Sequence, residues 1–328
     1  MKKIKVKFVD YWPNHHLKED IIYKWLSDHY EIELSEQPDY IVYSCFGYEH
    51  LKYDCVRIFY TAENFAPDFN ECDYALCFEK MKFGDRCMEL PNFFKYKREI
   101  EMINSAGRKE PDSELLERGF CSYVVSNGRG NQIREDAFNE LSIYKEVASG
   151  GRFKNNIGGP VEDKIEFQRN YKFALAFENS SHIGYTTEKI LQAFASRTVP
   201  IYWGDPKVSD YFNPNAFVNV MDFSSLEEAL KYVEKLDCDD EGYLRYVRQC
   251  PWRDPNIYSN KMMEFHSFMS NIFEQDYEKA FRRNSSAMSN QASKNILMWK
   301  EHYENHMKVK TGNSLIKRFL LLWRMYRR

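Results

Sequence analysis

The stretch that most constrains the fold is Tyr171 to Asp205, YKFALAFENSSHIGYTTEKILQAFASRTVPIYWGD. An apolar run gives way to a polar turn, a helical pattern and a second apolar run, the order of a βαβ unit in a parallel sheet. Phe173 to Phe177 reads as a buried strand, and Glu178 to Gly184, rich in Asn, Ser and Gly, as the loop leaving its carboxyl end. A helix is expected from about Thr187 to Arg197, with Ile190, Ala193 and Phe194 on the face turned to the sheet. Thr198 to Trp203 returns as a strand that Gly204 and Pro206 stop.

In open α/β sheets, ligands collect at strand carboxyl ends, where free backbone N–H groups and helix dipoles favour anions. The unit places Tyr185, Glu188 and Lys189 there. A lysine in the first turn opposes the dipole by roughly 0.3–1 kcal/mol, so a negative partner is expected, and a diphosphate suits the place. From spacing alone, a solvated helix start accounts for Glu188 and Lys189 equally well.

The run FENSSHIGYTTEKILQAF followed by TVPIYWG resembles the signature of the α1,3/α1,4-fucosyltransferases, glycosyltransferase family 10: a FEN segment, Tyr-x-Thr-Glu-Lys and a closing P-x-YWG. The resemblance implies an α/β, two-domain GT-B fold, GDP-fucose as donor and inversion at the anomeric carbon. It extends to RIFYTAENFAPDFNECDYALCF, Arg57 to Phe78, which is similar to the family's acceptor-domain motif. The glutamate matching Glu63 is the general base there, and its place just past a strand end suits a cleft residue. A positioned base that takes the proton of an attacking hydroxyl contributes roughly 10²–10⁴-fold.

Phe120 to Ser126 reads as a strand, Asn127 to Gln132 as a polar loop and Ile133 to Tyr144 as a helix. The family carries Ser-Asn here, matched at Asn127, and then an arginine at the helix start that contacts the diphosphate. Arg134 matches, with Arg129 as its rival; a guanidinium suits phosphate oxygens because it binds them bidentately. The resemblance further implies that Asn179 and Tyr185 line the donor pocket, that Glu188 accepts from donor hydroxyls, and that Lys189 joins Arg134 on the departing diphosphate. No metal site is expected, with Mn²⁺ or Mg²⁺ stimulation left open. The Asp-Cys-Asp-Asp run at 237–240 reads as a loop or helix cap, since it falls between helices rather than at a strand end. His15 and His16 read as a solvated turn or at most an acceptor contact.

With 328 residues there is enough chain for two such domains. Residues 1–118 are read as the acceptor-side domain and 119–284 as the GDP-fucose-binding domain facing it across a cleft. Tyr96 to Gly119 reads as the connection, and 285–310 as a terminal helix that GT-B chains often pack back on the first domain. Val147 to Gly151 and Asn155 to Pro160 read as glycine-rich turns. Net charge is −3, but residues 311–328 carry +5, so the remainder is −8. An acidic body argues against nucleic acid. The tail, with Leu315, Phe319, Leu322 and Tyr326 on one side, reads as an amphipathic helix on an anionic membrane surface, or else one docked on protein. Eight cysteines without CxxC spacing read as buried thiols of a reducing compartment. The start is charged and no apolar run is long enough to span a membrane. Set against the amino-terminal anchor that a Golgi-type member of the resembled family would carry, this suggests a bacterial cytoplasmic enzyme, and the tail suggests a peripheral place on the inner membrane face. The expected acceptor is a GlcNAc-containing glycan of Lewis or lipopolysaccharide type. Rival readings are a GT-B transferase with another nucleotide sugar, or a noncatalytic, membrane-associated glycan-binding protein.

Overall fold

The computed structural model describes the backbone of residues 1–105, 110–284 and 286–311, with side chains for all of these except 287 and 305–311. The tail singled out at 311–328 therefore lies outside the described residues beyond the helix end at Thr311.

Two sheets organise the chain. The first contains β1 (Lys3–Val9), β2 (Glu31–Leu34), β3 (Tyr40–Tyr43), β4 (Val56–Tyr60), β5 (Tyr74–Cys77) and β6 (Cys87–Glu89), ordered β2-β1-β3-β4-β5-β6. The second contains β7 (Gly119–Tyr123), β8 (Val147–Ser149), β9 (Tyr171–Phe177), β10 (Val199–Trp203) and β11 (Val218–Asn219), ordered β11-β10-β9-β7-β8. All neighbouring strands in both sheets pair in parallel. Helices must then cover both faces, which is why the central strands read as near-continuous apolar runs. Tyr40 to Tyr43, for example, is buried at every position.

In each sheet the chain reverses direction beside its first strand. After β1 it lays down β2 on one flank and β3 on the other, and after β7 it lays down β8 and then β9. At such a switch point the loops diverge and leave a crevice at the strand carboxyl ends.

The helices follow from local signals. In the first half, α1 (Ile21–His29) starts where the Asp20 carboxylate accepts from the Ile22 and Tyr23 N–H groups at 2.8 and 3.2 Å. Between the sheets run α2 (Lys97–Ser105) and α3 (Asp112–Leu116), so the stretch read as a plain connection is partly helical. In the second half, α4 (Ile133–Tyr144) and the short α5 (Lys164–Gln168) precede α6 (Glu188–Ala195), which buries Ile190, Leu191, Ala193 and Phe194. Each such side chain contributes roughly 1.5–3 kcal/mol, Ala less. Next come α7 (Leu226–Asp237), α8 (Asp240–Arg248), α9 (Ile257–Glu274), α10 (Tyr277–Ala280) and α11 (Ala287–Thr311).

One division differs from the sequence reading. Helix α9, read as part of the second domain, packs on the first sheet's core: Phe273 lies against Tyr40 at 4.6 Å, and the Trp25 indole N–H donates to His266 Nδ1 at 2.7 Å. Its amphipathic pattern says that one face is buried but not against which partner. Helix α11 in turn lies beside Tyr48 to Lys52, with the Lys300 ammonium 5.5 Å from the Tyr48 ring centre. The glycine-rich turns are also only partly turns, because Val147 to Ser149 is an edge strand.

Candidate active site

At the first switch point, the loops leaving β1, β3 and β4 enclose a cavity of about 640 Å³. Tyr11, Trp12, Phe46, Tyr60 and Tyr96 supply flat aromatic walls, which suit sugar rings because they combine apolar faces with polar edges. Glu63 stands on the rim, in the loop just beyond β4, with its carboxylate exposed and its backbone N–H donating to Thr61 Oγ1 at 3.2 Å. His15 and His16 line the same cavity. His15 stacks on Tyr11 at 4.1 Å and lies 3.4 Å from Asp20, so it is more engaged than a bare solvated turn.

The second switch point is built differently. Arg134, in the first turn of α4, is buried. One terminal nitrogen donates to Asn179 Oδ1 at 2.8 Å and the other to the Asn127 carbonyl at 3.2 Å, while Nε has no partner among the described residues. The loops leaving β7 and β9 are thereby joined, as they are again where the Asn131 N–H donates to the Asn179 carbonyl at 2.9 Å. Gly130 lets the loop lie against the guanidinium, since a Cβ there would fall 1.8 Å from an Arg134 nitrogen. Arg129, the rival, is exposed, and its N–H donates to Asn127 Oδ1 at 3.0 Å. That bond commits the Asn127 carboxamide oxygen to its own turn.

Lys189 is held by a carboxylate that sequence reasoning passed over. Glu178, fully buried at the end of β9, accepts from the Thr187 N–H at 2.7 Å, the Thr187 hydroxyl at 2.6 Å and the Lys189 ammonium at 2.8 Å. Lys189 also donates to Thr187 Oγ1 at 2.8 Å and lies 3.2 Å from Glu188. Burial opposes the ammonium charge, but Glu178 and then Glu188 outweigh it and raise the Lys189 pKa. Glu188 is likewise opposed by burial, yet Lys189 and then Lys164 hold it down at about 2. The negative partner that the first-turn lysine calls for is thus supplied within the chain. The available signal is the position of Glu178 at the strand end, directly before Asn179.

A second passed-over acid, Asp205, shapes the same loop. Wholly buried after β10, it accepts from the Gly184 N–H and the Thr186 hydroxyl, both at 2.9 Å. Gly184 has φ +83° and sits so close to the first half that a Cβ would approach the Phe78 carbonyl oxygen to 2.4 Å. Tyr185 is buried at this seam, its ring 5.4 Å from that of Phe78, and burial followed by the charge of Glu178 raises its phenol pKa.

The two sites face each other. Asn64, next to Glu63, donates to Ser180 Oγ at 3.0 Å, and Tyr96 OH donates to Glu188 at 3.4 Å. His182 meets Glu79 at 2.6 Å, and Lys80 pairs with Asp210. The structure therefore gathers Asn179, Tyr185, Glu188, Lys189, Arg134 and the Asn127 backbone at the second switch point, and the Asn64–Ser180 bond brings the Glu63 loop against it.

Among the described residues, no group of three or more His, Cys, Asp or Glu is arranged to hold a metal ion. In the Asp-Cys-Asp-Asp run, Asp239 caps α8 through the Gly242 N–H at 2.9 Å, and Asp237 is buried, 2.5 Å from the Lys145 ammonium. No described helix is long and apolar enough to cross a membrane.

Comparison with known proteins bears on this cleft. Residues 6–96 match the alpha-(1,3)-fucosyltransferase FucT N-terminal domain, and residues 117–299 match the C-terminal region of glycosyltransferase family 10 (fucosyltransferase). The alpha-(1,3)-fucosyltransferase FucT of Helicobacter pylori is 32% identical over 322 residues, covering 83% of this chain. The 3-galactosyl-N-acetylglucosaminide 4-alpha-L-fucosyltransferase FUT3 of Bos taurus is 37% identical over 153 residues, or 44% of this chain. The chain spans 66% of the length of the first relative and 40% of the second. A crystal structure of an alpha1,3-fucosyltransferase with GDP-fucose aligns with a TM-score of 0.70 at 30% identity, covering 84% of this chain and 93% of that one. The arrangement of two parallel-sheet units agrees with the GT-B fold.

Proposed function

The chain belongs to glycosyltransferase family 10, the fucosyltransferases, and from that premise we propose that it transfers L-fucose from GDP-fucose to the 3-hydroxyl of a GlcNAc residue in an N-acetyllactosamine-type glycan. The observation that carries the reading is the contact of the two loops: Asn64 beside Glu63 reaches Ser180 beside Asn179, so the loop of an exposed carboxylate lies against the loop that holds Arg134.

In this reading the acceptor glycan lies in the aromatic-walled cavity. Glu63 takes the hydroxyl proton as the oxygen attacks the anomeric carbon. The new O–C1 bond forms on the face opposite the leaving group, the C1–O(phosphate) bond breaks, and GDP departs with the electron pair, which inverts the centre. Arg134 and Lys189 stabilise the charge that grows on the diphosphate, and their fixed hydrogen bonds mean that little reorganisation is needed at that moment. Asn179 and Asn127 hold Arg134, Tyr185 closes the seam behind the donor, and Glu188 accepts from donor hydroxyls.

Mass spectrometry after mixing the protein with GDP-fucose and N-acetyllactosamine, followed by linkage analysis, tests the proposal. A deoxyhexose gain on the GlcNAc 3-hydroxyl is expected. Absence of both transfer and GDP-fucose binding would overturn the reading. A peripheral place on an anionic membrane, through residues 311–328, belongs to the same proposal, and vesicle pelleting with and without that segment tests it.

A further inference from the structure

The cations proposed to meet the diphosphate are already engaged. Lys189 stands against the carboxylates of Glu178 and Glu188 while Arg134 is held by Asn179, so the cluster's two formal positive charges are matched by two formal negative ones. A nucleoside diphosphate brings a charge of two or more negative units into that place. The charge that would make the cluster attract it must come from elsewhere.

Lys164 stands where it can supply that charge. It is the first residue of α5, which packs on both α6, the helix that carries Lys189, and β9, the strand that Glu178 directly follows. Its neighbour Asp163 is no counter-ion for it: that carboxylate caps α5 through the Ile165 and Glu166 N–H groups at 2.8 and 3.1 Å and faces Arg98 at 3.4 Å. Lys164 forms no ion pair within 4 Å among the described residues. The charged groups around it are Glu188 and Lys189 of α6, Glu178 just past β9 and Arg134 of α4. Lys95, another lysine near Glu188, comes from the first half and lines the acceptor cavity instead. A lysine left unpaired beside two other cations fits a place that an anion completes, and the buried, unpartnered Nε of Arg134 at the same cluster points the same way.

Resting on the donor reading above, we propose that Lys164 is a third diphosphate-binding cation, converging with Arg134 and Lys189 on GDP-fucose. Desolvation, reinforced by Lys189 and Arg134 and opposed by Glu188 and Glu178, lowers its pKa to about 8 in the free protein. Diphosphate favours the protonated form, so binding near pH 8 draws a proton onto Lys164. Above that pH the free protein has lost the proton, and affinity falls as pH rises.

The test is titration calorimetry with GDP and with guanosine, which lacks the phosphates, on the full chain and on Lys164→Met and Lys164→Arg. The GDP dissociation constant is expected to rise about tenfold or more in Lys164→Met, in line with a lost hydrogen bond to a charged group, while guanosine binding stays within twofold. Lys164→Arg should recover most of the loss. Proton uptake by the unaltered chain at pH 8, read from the dependence of the heat on buffer ionisation, should fall in Lys164→Met. GDP binding by Lys164→Met within twofold of the unaltered chain overturns the proposal, and so does an equal weakening of guanosine. If the unaltered chain itself fails to bind GDP, the donor reading falls and this proposal with it. Should Lys164→Met fail to fold, Lys164→Arg decides the matter, and its failure to bind GDP better than guanosine also overturns the proposal.

Discussion

The two switch points share a topology and differ in how they are filled. In the first half, Glu63 stands exposed beside a large aromatic-walled cavity, its carboxylate accepting no side-chain hydrogen bond among the described residues. In the second half, Glu178 is sealed from solvent and accepts three hydrogen bonds, and the charged side chains around it are fixed by one another. The difference reflects what each group must do. A base must be free to take a proton from an incoming hydroxyl, whereas groups that stabilise a leaving charge act best when already oriented.

The comparison can be broken most directly at Glu63. Glu63→Gln is expected to lower kcat by roughly 10²–10⁴-fold while GDP affinity stays within twofold, because only the proton acceptor is lost. A transfer assay alongside a GDP titration reads both, and a matching loss of GDP binding would erase the proposed division between the halves. Glu178→Ala should instead strike stability. Removing one partner of a buried ion pair costs about 3–5 kcal/mol, seen as a lower urea midpoint, and it should release Lys189 as well. Arg134→Ala is expected to weaken GDP by about ten- to a hundredfold, from the loss of hydrogen bonds of roughly 1.5–3 kcal/mol. Arg129→Ala should stay within twofold, and a reversal of that order would exchange the two arginines. The smallest effect belongs to the bridge between the halves: Asn64→Ala removes an exposed hydrogen bond and should change stability by less than about 1 kcal/mol, with a modest rise in acceptor KM.

Glu188 gives the comparison a pH axis. Its folded pKa, near 2, lies below the ordinary value of 4.5. It therefore contributes stability that is fully present above about pH 4.5 and is lost as pH falls toward 2. Acid unfolding of Glu188→Gln should be less steep across that window, as circular dichroism would show.

Much of the cleft was legible in the chain itself. The βαβ unit from Tyr171 to Trp203, the helix from Ile133 to Tyr144 and the position of Glu63 past a strand end all follow from apolar periodicity and turn residues, which act locally. Positions at strand ends and helix starts are predictable because backbone geometry sets them. The edge strands β2 and β8 were not legible, since such short segments carry little periodic signal.

The sequence by itself determined which groups stand at the carboxyl ends of the strands and which motif they belong to, because spacing along a strand or helix converts directly into a face or an end. Only the tertiary structure decided what those groups meet. Helix α9 looks the same in sequence whichever sheet it covers, yet it buries Phe265 and Phe273 on the first. Glu178 becomes the counter-ion of Lys189, and Arg134 rather than Arg129 is locked to Asn179, through contacts across loops that spacing cannot measure. The physical reason is that burial and charge pairing depend on distance in space, and the partners here are brought together by packing rather than by their separation along the chain.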